Sequence, residues 1–373
     1  MSARQTQQEE KITKPIRVAY VFTGFRGDLW KQVQAGEKDG NGFWGMGYLQ
    51  QNGVDANLVE LEMFYPRGLS SFMRSRLLNV NLVHLPTFFA FFAYDIIYTS
   101  TGFGSQLLMT LLRFVGIRRP LWVMHDFSIS GFLRHSNTLR RTLIRLITAH
   151  SDGIVTLSKK EVTLLEAEFP HLRGRIAFIP YGRDLSYFCP KSVPEVRQVF
   201  VPGSDPDRDL ATVFKACEGL DVTVLITAPP SRLKKLGALP SFVRHQRFDE
   251  KDLVEEYSRS AIVVLPLDTR SGLNDAMGNS VLTEALAAGR PIIASRTNMT
   301  TSYITDGENG VLVEERNVAE MRKTIQKLFA DDTLRKRLGE NARTYAIQNL
   351  DARERGKELA DFFKRIMRES AQT

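Results

Sequence analysis

Short runs of β-branched and aliphatic residues alternate with stretches of helical periodicity from residue 16 to the end of the chain. The apolar runs predict strands at Ile16–Phe22, Asn57–Leu61, Asp95–Ser100, Leu121–Asp126, Gly153–Ser158 and Ile176–Pro180. Helical spacing separates them, as over Ser105–Val115, Thr138–Ala149 and Lys160–Glu168. The alternation pauses at Asp184–Val196, which holds Pro190 and Pro194 and reads as an interdomain linker. A second series then predicts strands at Gln198–Val201, Val222–Thr227, Val243–Phe248, Ile262–Leu267, Pro291–Ser295 and Gly310–Val313. Helices are predicted over Val318–Ala330, Thr333–Gln348 and Ala352–Ser370.

Strand–helix alternation of this kind is the mark of parallel sheets with crossover helices. The predicted fold is therefore α/β, with two Rossmann-like doubly wound domains facing a cleft at the carboxyl ends of their strands. Boundaries follow at 1–14 (a disordered tail), 15–190, 191–350 and a C-terminal helix, 351–373, expected to pack back toward the first domain.

With 373 residues, 43% apolar and 25% charged, the chain is long enough for two such domains, each with its own core. Two cysteines, Cys189 and Cys217, exclude a disulfide framework and a cysteine-based zinc site. The polar first fourteen residues lack the apolar core of a signal peptide, which points to a cytoplasmic protein. The net charge of +8 is uneven: residues 101–150 set seven arginines against one acid. Such a face suits an anionic lipid surface or a phosphate-bearing acceptor, and equally a plain solvated surface. No nucleic-acid motif accompanies it. The most apolar run, Leu82–Tyr94, is interrupted by His84 and Pro86 and is shorter than the ~20 residues a bilayer span needs. It reads as a buried helix or as a segment lying on a membrane surface.

Candidate chemistry concentrates at strand ends. Residues 278–289, GNSVLTEALAAG, lie between two apolar strands and open a helix carrying one carboxylate, Glu284. Small residues let a ligand approach the first-turn amides, which favour an anion, while the Glu accepts hydrogen bonds from paired sugar hydroxyls. Asn279, Ser280 and Thr283 stand in the same turns. Gly203 and Ser204 open the loop to Arg208, whose guanidinium can form two parallel bonds to a diphosphate and offset developing charge. Asp205-Pro206-Asp207 could hold a divalent metal or cap the next helix; the cap is the expected role. His125 and Asp126 form a polar pair at a strand's carboxyl end, facing the cleft, and are the candidate catalytic residues with Arg208. Gly24, Arg26 and Gly27 form a turn after the first strand that lacks the spacing of a dinucleotide fingerprint and is read as an acceptor-contacting loop. Asn298-Met299-Thr300 matches a glycan acceptor triplet only incidentally.

Taken together, Ile179-Pro180-Tyr181-Gly182 with Asp184, Gly203 to Arg208-Asp209, Pro266, Glu284-Ala285, Gly289 to Ala294 and Asp306 to Gly310 resemble the retaining glycosyltransferases of the GT-B fold, especially family four. The resemblance implies a nucleotide-sugar donor held by the second domain, a carbohydrate or lipid-linked acceptor held by the first, retention of anomeric configuration, and no required metal or other cofactor. It assigns Glu284 to the donor ribose, Arg208 to the phosphates and His125 to the donor sugar. The chain departs from the pattern twice. Ala276 stands where the family's first Glu would fall, with Asp275 or Asn279 as substitutes, and Ser204 stands where a second Arg is common. The expected function is glycosyl transfer in polysaccharide or glycolipid synthesis, in the cytoplasm or on the inner face of a membrane. Its rivals are a nucleotide-sugar epimerase and a non-catalytic nucleotide-sugar-binding partner subunit.

Overall fold

The computed structural model describes residues 14–78, 82–100, 103–205, 208–271 and 276–372. Asp275, Pro206 and Asp207 lie outside the described residues, so the substitute carboxylate and the acid-x-acid pair are not placed.

The first sheet contains β1 (Ile16–Val21), β2 (Val54–Leu58), β3 (Ile96–Thr99), β4 (Leu121–Asp126), β5 (Gly153–Thr156) and β6 (Ile176–Phe178), in the order β2-β1-β3-β4-β5-β6. The second contains β7 (Val196–Val201), β8 (Thr223–Ile226), β9 (Val243–His245), β10 (Ser260–Leu265), β11 (Ile292–Ser295) and β12 (Val311–Val313), in the order β12-β11-β10-β7-β8-β9. Every pairing is parallel. Each sheet is doubly wound, and its order reverses between β1 and β3 or between β7 and β10. Sheets of this kind bind ligands at that reversal, outside the carboxyl ends of the strands.

The helices of the first half are α1 (Gly27–Gln34), α2 (Arg67–Phe72), α3 (Phe103–Phe114), α4 (Ile129–His135), α5 (Thr138–Ala149) and α6 (Lys159–Glu168). Those of the second are α7 (Leu210–Cys217), α8 (Pro230–Leu236), α9 (Glu250–Arg259), α10 (Asn279–Ala287), α11 (Val318–Ala330) and α12 (Asp332–Asn349). A last helix, α13 (Ala352–Gln372), closes the chain.

Side chains along each strand alternate between two covered faces, which is why the strands read as continuous apolar runs. Val18 and Tyr20 of β1 pack with Phe362, Phe363 and Ile366 of α13, whereas Ala19 and Val21 pack with Phe91. The C-terminal helix thus forms part of the first domain's core. In the second sheet, Phe200 and Leu265 face Tyr257 of α9 and Leu282 of α10, while Val199 and Val264 face α7 and α11.

One strand departs from expectation. β2 is three residues earlier than Asn57–Leu61, with Ile16 opposite Val54. It is an edge strand whose Asp55 and Asn57 are tolerated because one side stays open, and these polar residues obscured its apolar signal.

The chain crosses between domains twice, as a C-terminal helix that packs back on the first domain requires. Beside the expected linker, the segment joining α12 to α13 returns, and the two crossings are bonded: Arg183 N–H donates to Leu350 O at 2.6 Å and Ala352 N–H to Arg183 O at 3.0 Å. Gly182 permits this approach, since a Cβ there would lie 2.5 Å from Ala352 Cα.

Candidate active site

A cavity of about 480 Å³ opens at the carboxyl ends of both sheets, within the range usual for small-molecule sites. Pro202, Gly203 and Ser204 reach it from the end of β7, Thr227 from β8, Arg247 and Phe248 from β9, and Ala276 through Glu284 from the start of α10. Phe127 after β4 and Tyr181 after β6 form the first domain's wall. The reversal point between β7 and β10 lies at its floor.

The head of α10 is built to receive a ligand. Its N-cap is Gly278 at φ +81°, and no side chain caps the turn. The amides a Ser or Asp would satisfy are therefore left to the cavity. A side chain at Gly278 is barred by Leu265, whose Cδ1 would sit 2.8 Å from the added Cβ. Asn279 and Ser280 line the cavity as expected. Asn279 Nδ2 donates to Tyr303 OH at 2.8 Å, while its buried Oδ1 has no partner. Thr283 is placed differently: fully buried, it donates to helix carbonyls and receives Arg183 Nε at 2.9 Å, on the hinge side. It does not line the cavity.

Glu284 lines the cavity with both oxygens oriented from behind. Tyr257 OH donates to Oε2 at 2.7 Å and Arg183 Nη2 lies 3.0 Å from Oε1. Burial raises its pKa, against the pull of Arg183 and Tyr257. A carboxylate oxygen accepts more than one bond, so each retains capacity for a hydroxyl from the cavity.

Arg208 is not at the cavity surface. It is 2% exposed, lies directly beneath Gly203, and gives Nη2 to Asp205 Oδ2 at 2.7 Å. Its Nε and Nη1 are buried without partners. Burial lowers its pKa, opposed by Asp205, Tyr257 and Glu284. Two buried guanidinium nitrogens without partners under the glycine loop are costly and favour an anion above them.

His125 and Asp126 occupy the first domain's wall but not its surface. His125, 2% exposed, stacks on Trp44 with centroids 4.3 Å apart and lies parallel to Tyr181 at 5.7 Å. Its Nδ1 is 2.5 Å from Tyr98 OH and its Nε2 has no partner. Burial lowers its pKa to about 3, so it is neutral at physiological pH. Asp126 is a cap: Oδ1 accepts from Ser128 N at 2.8 Å and Ile129 N at 2.7 Å at the head of α4. Burial and then Glu161 push its pKa up. Reading Asp126 as catalytic is corrected on this geometry.

The acceptor loop stands apart from the cavity lining. Arg26 N–H donates to Glu60 Oε1 at 2.5 Å, Nη1 donates to Gly42 O at 2.7 Å, and the guanidinium covers the Phe22 ring at 4.4 Å. A Cβ at Gly27 would lie 2.9 Å from the Phe25 ring, which would have to shift, whereas Gly24 has open space around it. Arg26 thus acts as a brace for residues 40–43.

Four contributors were missed in the sequence. Arg183, 2% exposed, joins the two domains through Asp39 and α10. Tyr257 orients Glu284, and Trp44 backs His125. Arg247 lines the cavity on an exposed loop. Arg183 sits inside the Ile179–Asp184 signature and could have been flagged there; the others carry no linear signal. Among the described residues, no group of three or more His, Cys, Asp or Glu side chains could hold a metal, and no helix is long and apolar enough to cross a membrane.

Residues 231–345 match the family model described as Glycosyl transferases group 1. D-inositol 3-phosphate glycosyltransferase of Streptomyces bingchenggensis is 32% identical over 123 residues, which are 32% of this chain and 26% of that protein. The chain therefore matches about a quarter of that curated relative's length. Sucrose-phosphate synthase from Thermosynechococcus elongatus superposes with a TM-score of 0.71 at 16% identity, covering 95% of this chain and 100% of that one. Anabaena HepE in complex with UDP-glucose superposes with a TM-score of 0.67 at 14% identity, covering 94% and 99%. The fold is that of the GT-B glycosyltransferases, and the resemblance to the group 1 family holds.

Proposed function

We propose that this chain, GT-B by fold and matched to the group 1 glycosyltransferase family over residues 231–345, transfers a sugar from a nucleoside-diphosphate donor to an acceptor hydroxyl with retention of configuration. The observation that carries this reading is one cavity at the β7–β10 reversal, bordered by an uncapped helix head, a buried guanidinium with two nitrogens unmet, and an oriented carboxylate. The HepE structure holding UDP-glucose has the same fold and supports a donor of that class.

In this reading the ribose diol binds Glu284 and the diphosphate lies over the α10 amides and the Gly203 backbone, with Arg208 beneath. The sugar extends toward Ala276, Phe127 and Tyr181. The bond from the anomeric carbon to the phosphate oxygen breaks, and that oxygen keeps the electron pair, stabilised by Arg208 and the helix amides. The acceptor oxygen bonds to the same face of the anomeric carbon. Its proton passes to the departing phosphate oxygen, because His125, with its depressed pKa, is a poor base. His125 serves as rigid wall, shaping the sugar subsite through Phe127 and Tyr181. The charge offset comes from this chain's own groups, and transfer is proposed to need no divalent metal; undiminished turnover in EDTA checks that.

The acceptor is proposed to be carbohydrate, presented on a lipid at an anionic membrane surface on the cytoplasmic side, in polysaccharide or glycolipid synthesis. Of seventeen exposed large apolar side chains among the described residues, fourteen fall between Met63 and Leu139. Phe64 and Phe89 meet at 5.2 Å, and Arg67 links this patch to the loop at the mouth of β1, bonding Asp28 at 2.8 Å and covering Phe25 at 5.2 Å. An apolar face bordered by arginines suits an anionic bilayer.

The test is to incubate the purified chain with UDP-, GDP- and ADP-sugars and membrane lipid extract, following sugar transfer and the anomeric product. Transfer with retention supports the reading. Absence of both binding and turnover overturns it, and binding without turnover favours a partner subunit instead.

A further inference from the structure

We infer that Arg183 is a positioning residue through which the first domain, by Asp39, completes the second domain's grip on the donor ribose. This rests on the nucleotide-sugar reading above and extends it to a residue pair outside the cavity. Arg183 leaves the chain at the paired crossings, so its backbone is fixed to both domains. Its guanidinium is spent on four acceptors. Nε donates to Thr283 Oγ1 at 2.9 Å, Nη1 to Asp39 Oδ2 at 2.6 Å, Nη2 to Ser280 O at 2.8 Å, and Nη2 pairs with Glu284 Oε1 at 3.0 Å. Phe188 covers its face at 5.0 Å.

Asp39 belongs to the segment after α1, in the first domain, and is itself held across the cleft: its N–H donates to Glu250 Oε1 at 2.9 Å. Lys38 pairs with Glu250 at 3.5 Å, and the Asn41 amide lies beside Ser280 Oγ at 3.4 Å. One guanidinium therefore stands between a first-domain carboxylate and the carboxylate proposed to bind ribose. The side chains of Arg183 and Asp39 are 2% and 4% exposed, so their attraction is little screened. When Asp39 withdraws, Arg183 is left with one anionic partner in place of two and can swing fully onto Glu284, occupying the oxygen a ribose hydroxyl needs. With Asp39 in place, the planar fork is divided, and each Glu284 oxygen keeps an open acceptor site.

The test is calorimetric titration of the full chain with the nucleoside diphosphate that it binds best among UDP, GDP and ADP, and with the 2′-deoxy form of that nucleotide. The proteins are the wild type, Asp39→Asn, Arg183→Lys and the double variant. Asp39→Asn is isosteric and lies outside the cavity lining. We expect each single variant to weaken the ribonucleotide about tenfold, as loss of a charge-assisted contact does. The double variant should be no weaker than the weaker single, because both act through one contact. Affinity for the 2′-deoxy nucleotide should be the same in all four proteins. Equal losses for both nucleotides, additive losses, or an unchanged ribonucleotide affinity in Asp39→Asn would overturn the inference alone. A wild type that binds none of the three nucleotides would overturn the functional reading on which it rests.

Discussion

The backbone of Gly203 rests on the guanidinium of Arg208. A Cβ added to Gly203 would collide with Nη2 and come within 3.2 Å of Val281 Cγ2, and the residue holds φ at +104°. Two independent constraints, left-handed backbone and absent space, make glycine obligatory at this point in the floor of the cavity.

Gly203→Ala is accordingly expected to cost about 1–3 kcal/mol of stability from backbone strain and to displace Arg208 as well. Thermal melting and nucleotide titration read the two effects. A variant with wild-type melting and affinity would show that the loop relaxes freely and that its contact with Arg208 is immaterial.

Arg208→Lys keeps a charge but loses the fork and both unpartnered nitrogens. If they stabilise the departing diphosphate, turnover should drop about 10²-fold with a smaller change in KM, as when a preorganised oxyanion donor is removed. A rise in KM alone, with turnover intact, would reassign the residue to ground-state binding.

His125 makes stability depend on pH in a defined window. Its folded pKa of about 3 lies below the roughly 6.5 of an unfolded imidazole. Between these values the unfolded chain holds a proton that the folded chain refuses, so acid favours unfolding. From this residue stability is full above the unfolded pKa and declines as pH falls toward 3, by up to about 1.4 kcal/mol per pH unit. Denaturant unfolding at several pH values, with His125→Phe for comparison, checks the sign. A wild-type slope no steeper than the variant's would contradict it.

Phe89 and Phe92 are 62% and 49% exposed on the 3₁₀ segment Leu85–Ala93, while Phe91 and Thr87 of the same segment are buried. Replacing both exposed rings with Ser should leave melting nearly unchanged. Sedimentation with anionic vesicles should decline about tenfold or more if each ring contributes on the order of 1–2 kcal/mol in the bilayer interface. Equal sedimentation, or binding indifferent to lipid charge and salt, would remove the membrane from the proposed function.

Much of the donor site was legible because it is local in the chain. Residues 278–284 hold a turn, a helix start and a polar group within a few positions, and Gly203 and Arg208 stand just before the helix capped by Asp209; such spacing survives in linear sequence. The strand β4 and the helix α11 were read at their observed bounds for the same reason, an unbroken apolar run and an unbroken 3.6-residue period. His125 stands at the carboxyl end of its strand, but its burial among Trp44, Phe127 and Tyr181 depends on rings from separate parts of the chain.

By itself the sequence determined two parallel sheets, their order along the chain, and the glycines and acid that line the cavity, because periodicity and turn chemistry are set by near neighbours. Only the tertiary structure decided which polar groups meet. Asp39, Arg183 and Glu284 are separated by 144 and 101 positions and converge where two crossings and a cleft-spanning loop come together. Electrostatic partnership falls off with distance in space and is blind to distance along the chain.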